Sequence, residues 1–378
     1  MHEEGRVSKR EGEVWRALGL MSGTSLDGID VAVIETDGEK IYARSHAATY
    51  PYSDAFREKL RAGLAEAATL TDRGARPGRL RMLEQYLTEL HAEAISHYLT
   101  DHEIAPESID LVGFHGQTVL HRPEARLTVQ LGDGALLARL AGRPVVYDLR
   151  AADVAAGGQG APLAPVYHRA LAADIAERPV AVLNLGGVAN ITWIGRDGTL
   201  IAFDTGPASA MIDDWVQTKL GKPFDADGRI AAGGAVHESI VADYLRHPHF
   251  AELPPKSLDR NAFSLDAVAH LSPEDGAATL AAFTAASIAQ SLSHLPEPPQ
   301  LLVISGGGRR NDTMVAMIAQ RTGIDIQHAE DFGIDGDGVE AEAWAFLAVR
   351  SALGLPITFP GTTGVSGPLT GGVRADPA

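Results

Sequence analysis

Short apolar runs alternate along the chain with longer amphipathic segments. The runs 15–21 and 29–34 predict a pair of strands, and the runs 180–185 and 191–194 predict a second pair. Each pair encloses a turn rich in glycine and other small residues. A repeat of this hairpin about 160 residues later indicates two similar halves. The pattern therefore predicts an α/β fold with two similar domains, with mixed sheets flanked by helices.

The remaining periodicity predicts further elements in both halves. Strands are expected at 40–47, 110–114, 129–133, 144–147, 200–203 and 301–305, and helices at 54–67, 79–99, 134–141, 208–219, 275–295 and 338–353. The glycine-rich stretch 155–160 predicts a domain boundary. We therefore expect a flexible tail at 1–14, an N-terminal domain at 15–150 and a C-terminal domain at 151–378, with an active-site cleft between the domains.

Composition and charge narrow the classes of function. The chain has 378 residues, of which 45% are hydrophobic and 21% charged, as in an ordinary globular protein. No apolar run reaches the roughly 18 residues that a membrane span needs. The absence of cysteine excludes disulfides, thiolate nucleophiles and sulfur-bound metals. A net charge of −17 argues against a nucleic-acid partner. Together with an N-terminus that lacks a signal peptide, these features predict a cytoplasmic protein.

Three glycine-bearing loops are candidates for binding the phosphates of ATP. Small side chains expose backbone N–H groups, so phosphate oxygens can approach closely. The predicted nucleotide contacts are Gly23, Thr24, Ser25, Leu26, Asp27, Gly28, Ile29, Asp30, Gly186, Gly187, Gly306, Gly307 and Gly308. The alternatives are a plain hairpin turn for the first loop and a flexible loop for the other two. Gly186 and Gly187 could also serve packing between the domains, and the third loop could pack against adenosine.

Asp27 is a candidate ligand for Mg²⁺ through a water molecule, because magnesium prefers oxygen ligands and keeps part of its hydration shell. The chain lacks a Walker A lysine loop and a GxGxxG fingerprint, which argues against P-loop and Rossmann folds. Apart from His115, which is considered below, the histidines of the chain do not have the spacing of zinc ligands.

Several motifs resemble the anhydro-N-acetylmuramic acid kinase family. They are MSGTSLDGID at 21–30, HGQT at 115–118, GGQGAPL at 157–163 and FDTGP at 203–207. The resemblance runs in order from residue 18 to about residue 353. It implies the actin/hexokinase-like (ribonuclease H-like) architecture of the superfamily that contains sugar kinases, actin and heat-shock chaperone ATPases. It also implies a homodimer.

The resemblance implies a coupled reaction. The family opens the 1,6-anhydro ring of 1,6-anhydro-N-acetylmuramic acid with water and phosphorylates O6 with ATP. The product, N-acetylmuramic acid 6-phosphate, belongs to cell-wall recycling and amino-sugar catabolism. Asp204 matches the family's catalytic base, because a carboxylate must take the proton of the water. Its alternative role is that of a turn residue before Gly206 and Pro207.

Four further residues are candidates for binding the sugar. Glu340 is similar to an acidic position that the family keeps near the sugar, and its alternative role is a helix N-terminal acid. His115 and Gln117, at a predicted strand end, could bind hydroxyl or N-acetyl groups, or His115 could be structural. Arg150 could bind the lactyl carboxylate, or pair with Asp148 or Asp153.

The chain departs from the family at Ala208 and Ser209, where Gly-Asn is usual. Ser209 retains a hydroxyl donor, so we expect activity to survive with an altered contact. Two other functions stay open at this point. One is an ordinary sugar kinase without ring opening, and the other is an ATP-driven, chaperone-like binding protein.

Overall fold

A computed structural model describes residues 12–23, 25–336 and 338–377. Most of the predicted tail at 1–14 and the predicted nucleotide contact Thr24 lie outside the described residues. Up to residue 173 the elements are β1 (Trp15–Ser22), β2 (Gly28–Thr36), β3 (Ile41–Arg44), β4 (Ala48–Pro51), α1 (Asp54–Ala67), α2 (Leu80–Asp101), β5 (Leu111–Arg122), β6 (Leu127–Leu131), α3 (Gly134–Ala141), β7 (Val145–Tyr147), α4 (Ala151–Ala155) and α5 (Pro165–Leu171).

The elements after residue 173 fall into two groups. The first is β8 (Val180–Leu185), β9 (Val188–Ile194), β10 (Leu200–Pro207), α6 (Ser209–Leu220), α7 (Arg229–Ala232), α8 (Glu238–Tyr244), α9 (Pro273–Ser291), β11 (Leu301–Ser305), α10 (Asp312–Thr322) and β12 (Asp325–His328). The second is α11 (Val339–Ala352), α12 (Pro360–Thr363) and β13 (Val373–Ala375). Short 3₁₀ turns connect several of these elements.

The chain forms two compact units. The first contains the described residues up to Ala173 together with those from Gly338 onward, and the second runs from Asp174 to Gly336. This division differs from the predicted boundary after Arg150. The reason is packing between residues distant in sequence, since α11 lies against β1, β2 and β5 of the first unit.

The sheets of the two units share one plan. In the first unit the order is β13-β7-β5-β1-β2-β3, with β4 on β2 and β6 on β5. In the second unit the order is β10-β9-β8-β11-β12. Both sheets join an antiparallel three-strand meander to parallel strands, β5 and β7 in one and β11 and β12 in the other. This duplicated mixed α/β plan confirms the predicted fold class.

Each unit has its own apolar core. In the first unit, residues of β1, β2 and β5 pack with α1, α2 and α3. In the second unit, residues of β8, β9 and β10 pack with α6, α9 and α10. Side-chain caps fix where the flanking helices begin: Ser53 accepts from the Phe56 amide at α1, and Asn311 accepts from the Met314 amide at α10.

The structure differs from the predicted elements in three places. The strand expected at 40–47 is shorter, because β3 spans Ile41–Arg44, and it is followed by a separate strand, β4, at Ala48–Pro51; both pair with β2. The strand expected at 110–114 continues to Arg122, so His115 and Gln117 lie within β5 and not at its end. The segment after 338–353, for which no element is predicted, contains α12 and β13. In the part of the chain that the structure describes, no helix combines the length and apolar character of a membrane span.

Two glycines let α11 approach the first sheet at backbone distance. A Cβ at Gly19 of β1 would lie 1.9 Å from the Ala341 carbonyl oxygen and 2.7 Å from the Ala345 nitrogen. A Cβ at Gly113 of β5 would lie 2.1 Å from the Trp344 carbonyl oxygen. The lack of a side chain at these two positions therefore determines how closely α11 approaches β1 and β5.

We predict that Gly19→Ala destabilises the protein by about 1–3 kcal/mol or more, because the added methyl meets backbone that cannot rotate away. Chemical denaturation followed by circular dichroism measures the loss. Gly367→Ala is the control, since a Cβ there meets nothing within 4 Å. Equal stability of the two variants would contradict the proposed close packing.

Candidate active site

A pocket of about 410 Å³ lies in the first unit. Six of the predicted site residues line it: Gly23, Ser25, His115, Gln117, Arg150 and Glu340. They come from the β1–β2 turn, from β5, from the start of α4 and from α11. The structure therefore brings together predicted sugar-binding and nucleotide-binding residues that are far apart in sequence.

Gly116 interrupts the regular backbone of β5 between His115 and Gln117, two buried side chains of the HGQT motif that line the pocket. Gly116 has a φ of 69°, in the left-handed region that favours glycine, and the pairing with β1 shifts register between Leu20 and Ser22. The Gln117 side chain accepts from the Ser22 hydroxyl at 2.7 Å and donates to the Gly23 carbonyl at 3.1 Å. Gln117 thereby anchors the β1–β2 turn at the pocket.

His115 is held as a neutral imidazole. Its Nδ1 lies 3.1 Å from the Ser22 carbonyl oxygen, so this nitrogen carries the proton. Its Nε2 then accepts from Arg150 Nε at 3.3 Å. Burial, followed by the charge of Arg150, lowers the pKa of His115 well below its usual value. The ring packs on Trp344 with centroids 4.4 Å apart. Both ring nitrogens are therefore engaged with the protein.

Arg150 does not form the ion pair with Asp148 or Asp153 that was considered as its alternative role. It donates to the Gly160 carbonyl at 2.9 Å and to His115, and its guanidinium lies 5.0 Å from the Trp344 ring centre. Asp148 instead pairs with Arg73. Asp153 accepts from the Gly160 amide and the Thr363 hydroxyl. The guanidinium thus lines the pocket without a carboxylate partner among the described residues.

Burial lowers the pKa of Arg150 to about 10, so it stays cationic at neutral pH. Glu340 lines the same pocket. Its side chain is accessible from the pocket, but protein atoms lie around its carboxyl group. Burial and the charge of Asp30 raise the pKa of Glu340, an effect that Arg150 partly offsets and Asp27 increases. The pocket therefore combines a fixed cation with an acid that is easier to protonate than usual.

The side chains of the first hairpin fall into two groups. Leu26 and Ile29 are buried in the apolar core, and Gly28 lies against the backbone of Tyr50. Their predicted role as nucleotide contacts stays a prediction that only backbone atoms could fulfil. Asp27 is exposed and accepts from the Ser25 hydroxyl at 2.7 Å, while Asp30 accepts from Thr49.

In the second unit, Asp204 lies on the edge strand β10, where three contacts hold it. Its Oδ2 accepts from the Leu258 amide at 2.8 Å. Its backbone N–H donates to the Lys256 carbonyl at 3.0 Å, and its carbonyl lies 2.9 Å from His249 Nε2. Among the residues described, no hydrogen bond is found for the other carboxylate oxygen, Oδ1. One oxygen of a fixed carboxylate is thus left to accept a proton.

Burial raises the pKa of Asp204 to about 6, although the Leu258 amide opposes the rise. The segment that holds Asp204 is not among the residues predicted from the sequence. Lys256 is itself buried and donates to the His249 carbonyl at 2.8 Å, which ties the two supporting residues together. The only sequence signal for this segment was Lys256, a lysine between prolines and apolar residues. No local pattern links Leu258 to Asp204, because they lie 54 positions apart.

The glycine loops of the second unit are partly engaged. The carbonyl groups of Gly186 and Gly187 accept from amides at the start of α6, and the Ser209 hydroxyl donates to Gly186 at 2.7 Å. Ser209, where the chain departs from the family, therefore supports the second hairpin. In the third loop Gly308 packs against the Leu185 carbonyl, whereas Gly307 faces open space.

The pocket of the first unit also contains residues that sequence analysis did not select. Thr118 and His121 line it, one and four positions beyond Gln117. His121 Nε2 lies 2.8 Å from the Gln159 carbonyl, which connects β5 to the GGQGAPL segment. No sequence signal pointed to these two residues, because their place at the pocket depends on the continuation of β5 past the HGQT motif.

Comparison with known proteins agrees with these motifs. The model of the family described as anhydro-N-acetylmuramic acid kinase matches residues 15–375. The chain belongs to this family. A relative from Methylobacterium nodulans named anhydro-N-acetylmuramic acid kinase is 53% identical over 373 residues, covering 96% of this chain and all of the relative. A relative of the same name from Brucella canis is 50% identical over 368 residues, covering 96% and 99%.

Solved structures show more distant similarity. Component A of the (R)-2-hydroxyglutaryl-CoA dehydratase of Acidaminococcus fermentans aligns with a TM-score of 0.47 at 13% identity, covering 89% of this chain and 99% of that one. A ROK family glucokinase from Streptomyces griseus aligns with a TM-score of 0.36 at 15% identity, covering 89% and 99%. Membership of the anhydro-N-acetylmuramic acid kinase family identifies the chain as an ATP-using kinase.

The donor set suits a magnesium ion that is carried mainly by phosphate and water. Within 12–23, 25–336 and 338–377, no three His, Asp or Glu side chains are grouped as metal ligands. Asp27 offers an exposed carboxylate beside the first loop, which fits a contact through water.

We predict that the acid limb of kcat/KM lies near pH 6 if Asp204 is the base that the family resemblance implies. A base must be a carboxylate to accept a proton, so a pKa of about 6 means that activity is full above pH 6 and falls about tenfold per unit below it. Rates of ADP release between pH 4.5 and 8.5 measure the limb. Asp213→Asn is the matched control, because burial also raises the pKa of that residue to about 6. A limb at pH 4, or one that moves in the control, would contradict the assignment to Asp204.

Proposed function

We propose that the chain opens the 1,6-anhydro ring of 1,6-anhydro-N-acetylmuramic acid and phosphorylates O6 with ATP. Water adds to C1, the C1–O6 bond breaks, and O6 attacks the γ-phosphorus. The products are N-acetylmuramic acid 6-phosphate, ADP and one proton. The proton leaves the water for Asp204 and later passes to solvent. This reaction serves cell-wall recycling and amino-sugar catabolism.

The state of Asp204 is the observation that carries this proposal. A base must be ionised at working pH and must have an oxygen available. A pKa of about 6, one oxygen held by Leu258 and the other without a hydrogen bond to the described residues meet both conditions. A residue that served only as a turn former would not need a raised pKa.

The pocket of the first unit supports a role in binding the sugar. The substrate carries a lactyl carboxylate, and Arg150 is a cation without a carboxylate partner there, so the two charges are complementary. His115, being neutral with its proton on Nδ1, sets the orientation of Arg150 through Nε2. Glu340 and Gln117 complete the proposed sugar contacts, Glu340 as an acceptor for a hydroxyl or amide N–H.

The glycine loops support binding of ATP through backbone N–H groups. Gly23 and Ser25 line the pocket of the first unit, and Gly307 of the third loop is open. Mg²⁺ would neutralise phosphate charge when bound. Asp27 would hold it through water.

We predict ADP release only with the anhydro sugar, and its loss in Asp204→Asn. The amide keeps the shape but cannot take a proton, so we expect turnover to fall about 10²–10⁴-fold with ATP binding within a few-fold of the parent. The assay compares 1,6-anhydro-N-acetylmuramic acid, N-acetylmuramic acid and no sugar.

The same assay separates the alternatives. Turnover with N-acetylmuramic acid would favour an ordinary sugar kinase, and equal turnover without sugar would favour an ATP-driven binding protein. If Asp204→Asn keeps more than about a tenth of parental turnover, Asp204 is not the base.

We predict that Asp27→Ala raises the Mg²⁺ concentration needed for half-maximal rate and leaves the KM for the sugar within about twofold. Mg²⁺ titration at fixed ATP measures this. Asp54→Ala is the control, because Asp54 is an exposed acid in the first turn of α1. An unchanged Mg²⁺ dependence would leave Asp27 as a turn residue that accepts from Ser25.

We also propose a cytoplasmic homodimer, following the family resemblance. A chain without cysteine suits a reducing compartment where ATP is present. Sedimentation measures the oligomeric state directly.

A further inference from the structure

Three polar side chains form a row across three neighbouring strands of the second sheet. Asn190 of β9 pairs with Asn184 of β8 on one side and with Asp204 of β10 on the other. Side chains of directly opposed residues lie on the same face of an antiparallel sheet. All three are half-buried. We call Asn184, Asn190 and Asp204 the polar row.

The polar row lies on the face opposite the core. The residues next to it in sequence, such as Leu183, Ala189 and Phe203, belong to the apolar core of the second unit. Because side chains alternate between faces along a strand, the polar row points to the other face.

Backbone contacts show that Asn190 is nearer to Asp204 than to Asn184. The N–H of Asp204 bonds to Lys256 and its carbonyl to His249, so both groups point away from β9. Asp204 and Asn190 therefore form a non-hydrogen-bonded pair, in which Cα atoms are about 4.5 Å apart and side chains are closest. Asn190 must then exchange backbone bonds with Asn184, a pair whose Cα atoms are about 5.5 Å apart.

The amides of the polar row lack hydrogen-bond partners within the protein. Across the described part of the chain, no hydrogen bond is found for the side chain of Asn184 or Asn190. Half-buried amides normally bond to protein or to a bound molecule. Asn184 Oδ1 would lie 2.2 Å from a Cβ at Gly306, so this end of the row adjoins the third glycine loop. Asn190, in the middle of the polar row, adjoins Asp204, the proposed base.

We propose that Asn190 binds the water that Asp204 deprotonates. One O–H of this water donates to Asp204 Oδ1, which takes the proton. The other O–H donates to Asn190 Oδ1 and remains as the hydroxyl hydrogen on C1. Both lone pairs of the water stay free, and one of them forms the bond to C1. This inference rests on the proposed role of Asp204.

Asn190→Asp tests how close the two residues are. A second carboxylate beside Asp204 disfavours ionisation of both, so we expect the acid limb of kcat/KM to move up by at least one pH unit. Asn184→Asp is the matched control and should move the limb by less than half as much. A limb that stays within 0.3 unit in Asn190→Asp, or moves equally in both variants, would overturn the proposal.

Asn190→Ala tests the effect on rate. Loss of one of two water contacts should lower kcat at least tenfold while the KM for ATP stays within twofold. A loss below threefold would overturn the proposal, and so would a parallel loss of thermal stability and ATP affinity. This variant decides the matter if Asn190→Asp does not fold. Full activity of Asp204→Asn would instead refute the proposed base, whatever the Asn190 variants show.

Discussion

The contact of α11 with the first sheet is the constraint on which the candidate sugar pocket depends. Gly19 and Gly113 remove the side chains that would separate this helix from β1 and β5. At this depth Glu340 lines the pocket and Trp344 lies against His115 and Arg150. A side chain at either position would overlap the backbone of α11, so the helix could not lie at this depth. The arrangement therefore depends on two positions that carry no functional group.

Arg150 and Glu340 carry opposite charges in the same pocket, but they do not form an ion pair with each other. Arg150 is oriented by a carbonyl, a neutral imidazole and an aromatic ring, none of which cancels its charge. Glu340 lies close enough to influence its pKa, yet the two form no salt bridge. An arginine already neutralised by a carboxylate would have to break that pair before binding an anion. Neutral contacts thus keep the cation available to a ligand.

The sequence predicted those elements and site residues that a local pattern of side chains determines. Both hairpins and α11 follow the periodicity of the sequence, and Asp204 lies in the FDTGP motif at 203–207. The continuation of β5 past His115 could not be predicted, since the strand runs through a left-handed glycine, Gly116, and then through polar residues. Nor could the membership of α11 in the first unit, because that follows from packing between residues more than 200 positions apart.

The contacts of Asp204 suit its proposed role as a base, which needs a group that is both fixed and reactive. Each hydrogen bond to a carboxylate oxygen stabilises the anion and lowers its basicity. Here two of the three contacts, from Lys256 and His249, go to the backbone of Asp204, so they restrict its position without stabilising the negative charge directly. Only the Leu258 amide reaches the carboxylate, and burial outweighs it. Placement through the backbone thus keeps the pKa high, and the folded state loses stability as the pH rises from 3.8 to about 6 and this half-buried group becomes charged.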